Sequence, residues 1–312
     1  MPILAKAMQN GHQIVELIWL EDFVALAKTG NFSRAAELRH VSQPAFSRRI
    51  RALEDWLGVD LFERGTQGVT LTPVGEQFRS GAEEVVRRIR QLCSETREAG
   101  SKEAKTLYFA ATHVLSFTFF PEWIRSLYSD DTLGTIKLIS DSMQACESLM
   151  LQGLAQFLLC HHHAAVPSRF APTQFQSVEV GEDSLVLLCA PDSGGLPRWR
   201  FPNAERSTPY LAYSDESGLG RIIAATQTRE TMALLKTVVT SRLAAALLSM
   251  VRSGQGVAWL PLSLAEQDVR DGRLVRAAGK DCDIRIGIRI FRPCTPLSGN
   301  AEKFWTRLQN KN

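Results

Sequence analysis

The chain reads as an α/β protein with an N-terminal winged helix-turn-helix and a long linker helix. Three observations carry this reading. Three helical patterns and a glycine-bounded hairpin fill the stretch from Leu17 to Pro73, one amphipathic run follows from Val74 to Glu98, and strand and helix patterns alternate from Thr106 onwards. A length of 312 residues with 45% hydrophobic composition suits two or more domains. The formal net charge of +3 is too small for an indiscriminate polycation, so any nucleic-acid site must come from local clustering.

The first helix places Leu17, Leu20, Phe23, Val24 and Ala27 at helical spacing and closes at Gly30-Asn31. A second spans Phe32 to Leu38, where Ala35-Ala36 permit close helix approach. The third starts near Gln43, with Ser42 as expected N-cap, Pro44 in the first turn, and Val41 and Phe46 at staple spacing. Phe46, Ile50, Leu53 and Leu57 form its buried stripe, and Gly58 stops it. Gln43, Ser47 and Arg51 fall on a neighbouring face, beside Pro44 and Arg48.

Between positions 34 and 51, Arg34, Arg39, Arg48, Arg49 and Arg51 are opposed only by Glu37. An isolated charge run is ordinarily a solvated surface. Here the arginines surround a helix-turn-helix whose second member begins with small and polar residues, an end that fits a major groove of double-stranded DNA. The expected DNA contacts are Ser33, Arg34, Ser42, Gln43, Pro44, Ser47, Arg48 and Arg51, with Arg64 at the edge of a wing formed by "DLFER", "GTQG" and "VTLTP". Thr72-Pro73 then opens the long helix, in which Phe78, Val85, Ile89 and Leu92 make an apolar seam suited to a homodimer or homotetramer.

The run "FVALAKTGNFSRAAELRHVSQPAFSRRIRALEDWLGVDLFERGTQGVTLTPVGE" resembles the winged helix-turn-helix of LysR-type transcriptional regulators. "VSQPAFSRRIRALE" is most similar to the branch containing hypochlorite-responsive regulators, and a weaker similarity continues through "YSDESGLGRII" and "GVAWLP". The resemblance implies a DNA-binding domain over 17–75, a linker and dimerisation helix over 76–99, and an effector-binding domain over 105–312. That last domain would be two-lobed and periplasmic-binding-protein-like, with lobe I at 105–175 and 276–312 and lobe II at 176–275. A small effector would sit between the lobes and modulate binding to promoter DNA.

Within the α/β region, strands are expected at Thr106–Ala110, Thr135–Ile139, "FLLC", "LVLLCA", "PYLAY", "VVTS", "GVAWLP" and "DIRIGIRIF". Helices are expected over Leu115–Leu127, Ala145–Leu151, Leu243–Val251 and around Phe304-Trp305. Polar residues at strand ends and helix starts suit an anion or small organic acid. They are Thr112, His113, Ser116, Asp141, Ser142, Ser214, Thr240 and Ser241, any one of which could equally be an ordinary cap. His161 to His163 read as a surface or cleft-edge loop, with His161 the one that contacts effector; consecutive extended residues point apart, so no metal site is expected.

No ordering of nucleophile, base and orienter is visible, and "SGLG" and "SGQG" are too degenerate for a phosphate loop, so neither catalysis nor a cofactor is expected. An α/β enzyme fused to a DNA-binding module is the alternative, as is oxidant sensing through cysteine. Cys93, Cys146, Cys160, Cys189, Cys282 and Cys294 lack a Cys-x-x-Cys pair and read mostly as small core residues. Methionine oxidation, implied by the hypochlorite-responsive branch, meets Leu127, Leu219 and Leu243 where it would want sulfur. Met143, Met150, Met232 and Met250 read as helix-packing residues. Neither a basic segment leading into an apolar core nor a run of roughly 18 apolar residues is present, so a soluble, cytoplasmic protein without a membrane partner is expected.

Overall fold

The computed structural model describes residues 15–65, 68–99, 106–127, 134–202 and 207–311. The chain forms two compact units that divide near Thr96. Among the described residues, no helix is long and apolar enough to cross a membrane.

The first unit contains α1 (Leu17–Thr29), α2 (Phe32–Leu38), α3 (Gln43–Leu57), the hairpin β1 (Phe62–Gly65) and β2 (Gly68–Leu71), and the start of α4 (Pro73–Ala99). Phe23, Leu26, Phe46, Ile50, Leu53 and Leu61 are fully buried in one core, against which Phe62 and Phe78 pack. Gly30 ends α1 at φ 59°, a left-handed conformation that a side chain would strain. Its carbonyl accepts from Val69 N at 3.0 Å, so the helix end holds the hairpin. Asn31 caps α2 by accepting from Arg34 N. Ser42 stands at the N-cap position of α3, but its hydroxyl makes no capping hydrogen bond; Pro44 in the first turn already removes one orphan donor. Thr66 and Gln67 of the expected wing turn lie outside the described residues.

In the second unit, β3 (Leu107–Thr112) pairs in parallel with β4 (Ile136–Asp141) and with β5 (Phe157–His162). β5 pairs antiparallel with β11 (Ile284–Pro293), and β11 with the long β6 (Phe175–Cys189). β6 also carries β9 (Ala258–Pro261) and the short β10 (Val275–Arg276). A separate parallel pair joins β7 (Thr208–Tyr213) to β8 (Leu235–Ser241). Helices α5 (His113–Thr118), α6 (Phe120–Leu127), α7 (Met143–Leu151), α8 (Gly218–Thr226), α9 (Arg229–Ala233), α10 (Ala244–Arg252), α11 (Leu262–Arg270) and α12 (Gly299–Lys311) complete it.

The expected single helix over Leu115–Leu127 is two. Its break lies at Phe119, because Pro121 has no amide hydrogen with which to continue the ladder. His161 and His162 are not in a loop: they end β5, opposite Ile288 and Gly287 of β11.

Two apolar cores flank the cleft of this unit. One gathers Phe109, Phe120, Phe157, Ile288, Phe304 and Trp305; the other gathers Leu185 to Cys189, Leu211, Ile222, Leu247, Trp259 and Ile286. The chain passes from one core to the other between Val180 and Leu185 on β6, and returns between Ile286 and Ile288 on β11. β6 and β11 run as one antiparallel pair past both cores.

Gly75, in the first turn of α4, tests the packing of the first unit. A Cβ there would stand 2.1 Å from the Leu61 carbonyl oxygen. Gly75→Ala should lower the stability of this unit by about 1–3 kcal/mol, as overpacking does, read as a lower midpoint in urea unfolding.

Candidate functional site

On the first unit, Ser33, Arg34, Ser42, Gln43, Pro44, Arg48 and Arg51 are exposed and Ser47 is half-buried at the outer side of α3. Arg39 and Arg49 differ. Asp22 of α1, fully buried, accepts from Arg39 Nε at 2.8 Å and stands 3.4 Å from Arg49 Nη1, while Glu21 takes Arg39 Nη2 at 2.5 Å and Arg90 Nη2 at 2.7 Å. Burial works to raise the Glu21 carboxyl, and the two guanidinium groups outweigh it, holding it below its ordinary range. Arg39 and Arg49 therefore brace the helices, whereas Arg34, Arg48 and Arg51 have no ion-pair partner among the described residues. Counting charges only between positions 34 and 51 hid the two acids on α1. Glu54 of α3 accepts from Leu61 N at 2.9 Å and Phe62 N at 3.1 Å, tying the wing to the same helix. Arg64 lies on β1 opposite Val69; its side chain is outside the described residues.

In the second unit, a cavity of about 30 Å³ lies between the two cores, room for roughly two water-sized particles. Thr112, His113, Asp141, Ser142, Met143 and His161 line it from the β3–β4–β5 side, and Ser217, Gly218, Leu219, Arg242 and Ala244 from the β7–β8 side. The starts of α7, α8 and α10 meet here, each following the C-terminal end of a parallel strand. Ser142 accepts from Ala145 N at 3.3 Å, and Ser217 accepts from Gly220 N at 3.4 Å. No side chain caps α10. Arg242 brings a guanidinium whose partner is Glu216 at 3.7 Å. The buried hydroxyl of Thr112 has no hydrogen-bond partner, and nor does Nε2 of His161.

Five of the expected effector residues, Thr112, His113, Asp141, Ser142 and His161, thus meet at one cavity. Four do not. Ser116 donates to His113 O at 2.7 Å and bonds the Ser140 hydroxyl at 2.8 Å, so it is engaged within its own lobe. Ser241 accepts from Leu243 N at 3.1 Å, Thr240 points to solvent from β8, and the hydroxyl of Ser214 is buried outside the lining. The wall carries charge of both signs, Asp141 on one side and Arg242 on the other. Arg242 was hidden because nothing local separates it from any exposed arginine. Met143, read as a packing residue, lines the cavity, its Cβ at 3.1 Å from where a Cβ on Gly218 would stand.

Beyond the cavity, Glu147 of α7 is buried and holds Arg221 of α8 through two bonds of 2.7 and 3.1 Å, an ion pair across the cleft. Cys146, Cys160 and Cys189 are buried. Desolvation pushes the Cys146 thiol up to about 12 and raises the other two, leaving little thiolate for oxidant chemistry. Among the described residues, no group of three or more His, Cys, Asp or Glu could hold a metal ion.

Two family models match this chain: the bacterial regulatory helix-turn-helix protein, lysR family, over residues 17–76, and the LysR substrate binding domain over residues 100–312. The HTH-type transcriptional regulator YjiE of Escherichia coli K12 is 32% identical over 95% of this chain and 94% of its own length. Vibrio fischeri DarR, solved in complex with DNA, is 31% identical with a TM-score of 0.56, covering 96% of this chain and 99% of that one. HypT of Salmonella typhimurium, described as a hypochlorite-specific LysR-type regulator, is 31% identical at full length, with a TM-score of 0.57 over 95% of this chain and 98% of HypT. Its bromide-bound regulatory domain is 27% identical, with a TM-score of 0.55 over 66% of this chain and 94% of that one. The chain belongs to the LysR family: it is a DNA-binding transcriptional regulator with an effector-binding domain.

Asp22→Ala should separate bracing arginines from exposed ones. Removing the carboxylate strips a buried charge partner from Arg39 and Arg49 and should cost about 2–4 kcal/mol, measured by urea unfolding. Arg48→Ala should leave the unfolding midpoint within about 0.5 kcal/mol of the parent.

Proposed function

We propose that this regulator reads promoter DNA with Gln43, Ser47, Arg48 and Arg51 of α3, supported by Ser33, Arg34, Ser42, Pro44 and the wing residue Arg64. The exposure of Gln43, Arg48 and Arg51, beside arginines that are already paired, supports this reading. Arg51→Ala and Gln43→Ala should weaken operator binding by about 1–3 kcal/mol and random-sequence binding much less. Equal losses on both DNAs, in a titration at fixed salt, would remove α3 from base reading.

The molecule works as a homodimer or homotetramer joined through α4. Val85 and Leu92 of the expected seam are exposed, at 45% and 56%, and Ile89 is half-buried, an apolar face that a second copy would cover. Val85 and Ile89 both replaced by Glu should dissociate the oligomer in sedimentation and lower operator affinity, because a single head holds one half-site.

The effector is a small anion bound in the cavity between the lobes. One observation carries this: Arg242 and the starts of α7, α8 and α10 line one space of about 30 Å³. The bromide-bound regulatory domain of HypT is in keeping with it. Bromide should bind the full chain in calorimetry, and Arg242→Ala should weaken it at least tenfold, a loss of about 1.4 kcal/mol. A second reading, oxidant sensing, is favoured by the Met143 thioether in the lining. Met143→Leu distinguishes the two, since it removes oxidant response and spares bromide binding.

A further inference from the structure

His161 is a buried cavity residue whose chemistry the anion reading leaves unused. Its side chain is only 3% exposed, and its Nε2 has no hydrogen-bond partner. The nearest charge is Asp183 Oδ2 of β6 at 3.6 Å, too far for a hydrogen bond but close for a charge contact. Asp183 is itself fully engaged: Oδ1 accepts from Ser184 N at 2.7 Å and Ser263 N at 3.2 Å, and Oδ2 accepts from the Ser263 hydroxyl at 2.5 Å. Burial works to raise its carboxyl, and the imidazole and Ser263 outweigh that, so the group stays below its ordinary range and ionised.

The other charges around the imidazole are mixed. His113 and Asp141 face it from the ends of β3 and β4, and Arg242 from the start of α10. Glu147 of α7 and Arg221 of α8 face it on the far side, already paired with each other, with His162 and His163 next along the chain. Arg289 of β11 stands opposite the preceding residue, Cys160, and pairs with Glu179. An anion entering this cavity meets Asp141 at its wall and Asp183 behind His161, against one guanidinium shared with Glu216. Besides Arg242, the groups at this wall that can take up a positive charge from solvent are the imidazoles of His113 and His161, and His161 is the buried one with an unpartnered ring nitrogen.

We propose that His161 binds the effector anion as an imidazolium, so that the cavity takes up one anion together with one proton, and that Asp183 is the positioning residue that holds this charge in place. The proton comes from solvent, no covalent bond changes, and both ring nitrogens become donors. This rests on the anion reading of the cavity and adds its regulation: effector response strengthens as pH falls.

The test uses the full chain and potassium bromide at pH 6, 7 and 8, with ionic strength held by potassium gluconate. Above the pKa of the free imidazole, bromide affinity should fall about tenfold per pH unit. Calorimetry in buffers of different ionisation heat should show close to one proton taken up per bromide. His161→Gln should flatten the pH dependence, whereas His113→Gln and His162→Gln should keep it. NMR titration of the histidine rings in the unaltered protein, which does not depend on how any variant folds, should show the His161 pKa rising when bromide is added. Bromide binding of equal strength at pH 7 and 8 without proton uptake overturns the proposal and leaves the anion site standing. A slope lost in His113→Gln instead overturns it by moving the proton. Absence of bromide binding at every pH overturns both the proposal and the anion reading.

Discussion

β6 and β11 lie side by side from Pro293 opposite Phe175 to Ile284 opposite Leu185, and the rest of the effector-binding unit hangs on that antiparallel pair. Each strand packs one half into the first core and the other half into the second, so the pair belongs to both. The parallel strands β3, β4 and β5 extend the sheet on one side, while β9 and β10 extend it on the other. Parallel strands require helical crossovers, and those helices start where the strands end. The meeting of the α7, α8 and α10 starts at one cavity follows from this topology, before any side chain is considered.

Charge then decides what that cavity can take. Helix starts and Arg242 favour an anion, while Asp141 and the buried Asp183 oppose one. The Glu147–Arg221 pair spans the same cleft, with Glu147 buried and Arg169 a second guanidinium at 3.6 Å, so separating the lobes would take the nearer of two partners from a buried charge. Opening is therefore costly, and a ligand that shifts the lobes must offset that cost through its own contacts.

The DNA-binding unit shows the same sorting of like residues by their surroundings. Arg39 and Arg49 sit among Arg34, Arg48 and Arg51 in the chain, yet Asp22 and Glu21 draw the first two inward. Glu54 and Gly30 fasten the hairpin to α3 and α1, so the hairpin and α3 keep one relation to each other.

Much was legible in the sequence because it is local. Helical periodicity, the stop at Gly58, the start at Gln43 and the strand-helix alternation depend on neighbours within a few residues, and the corresponding elements stand where those signals put them. Pro121 was equally local, and its break in the Leu115–Leu127 stretch shows a signal present but unread. Thr112, His113, Asp141 and Ser142 were legible as strand ends and helix starts, whereas His161 was read in a loop and its place at the end of β5 was not. Tertiary structure alone decided the rest. Whether Ser116 faces a ligand or its own lobe, whether Arg39 reads outward or braces α1, and whether Met143 fills a core or a cavity depend on residues tens of positions away. Those outcomes rest on burial and pairing across the fold, and a chain read residue by residue carries no record of the distances that set them.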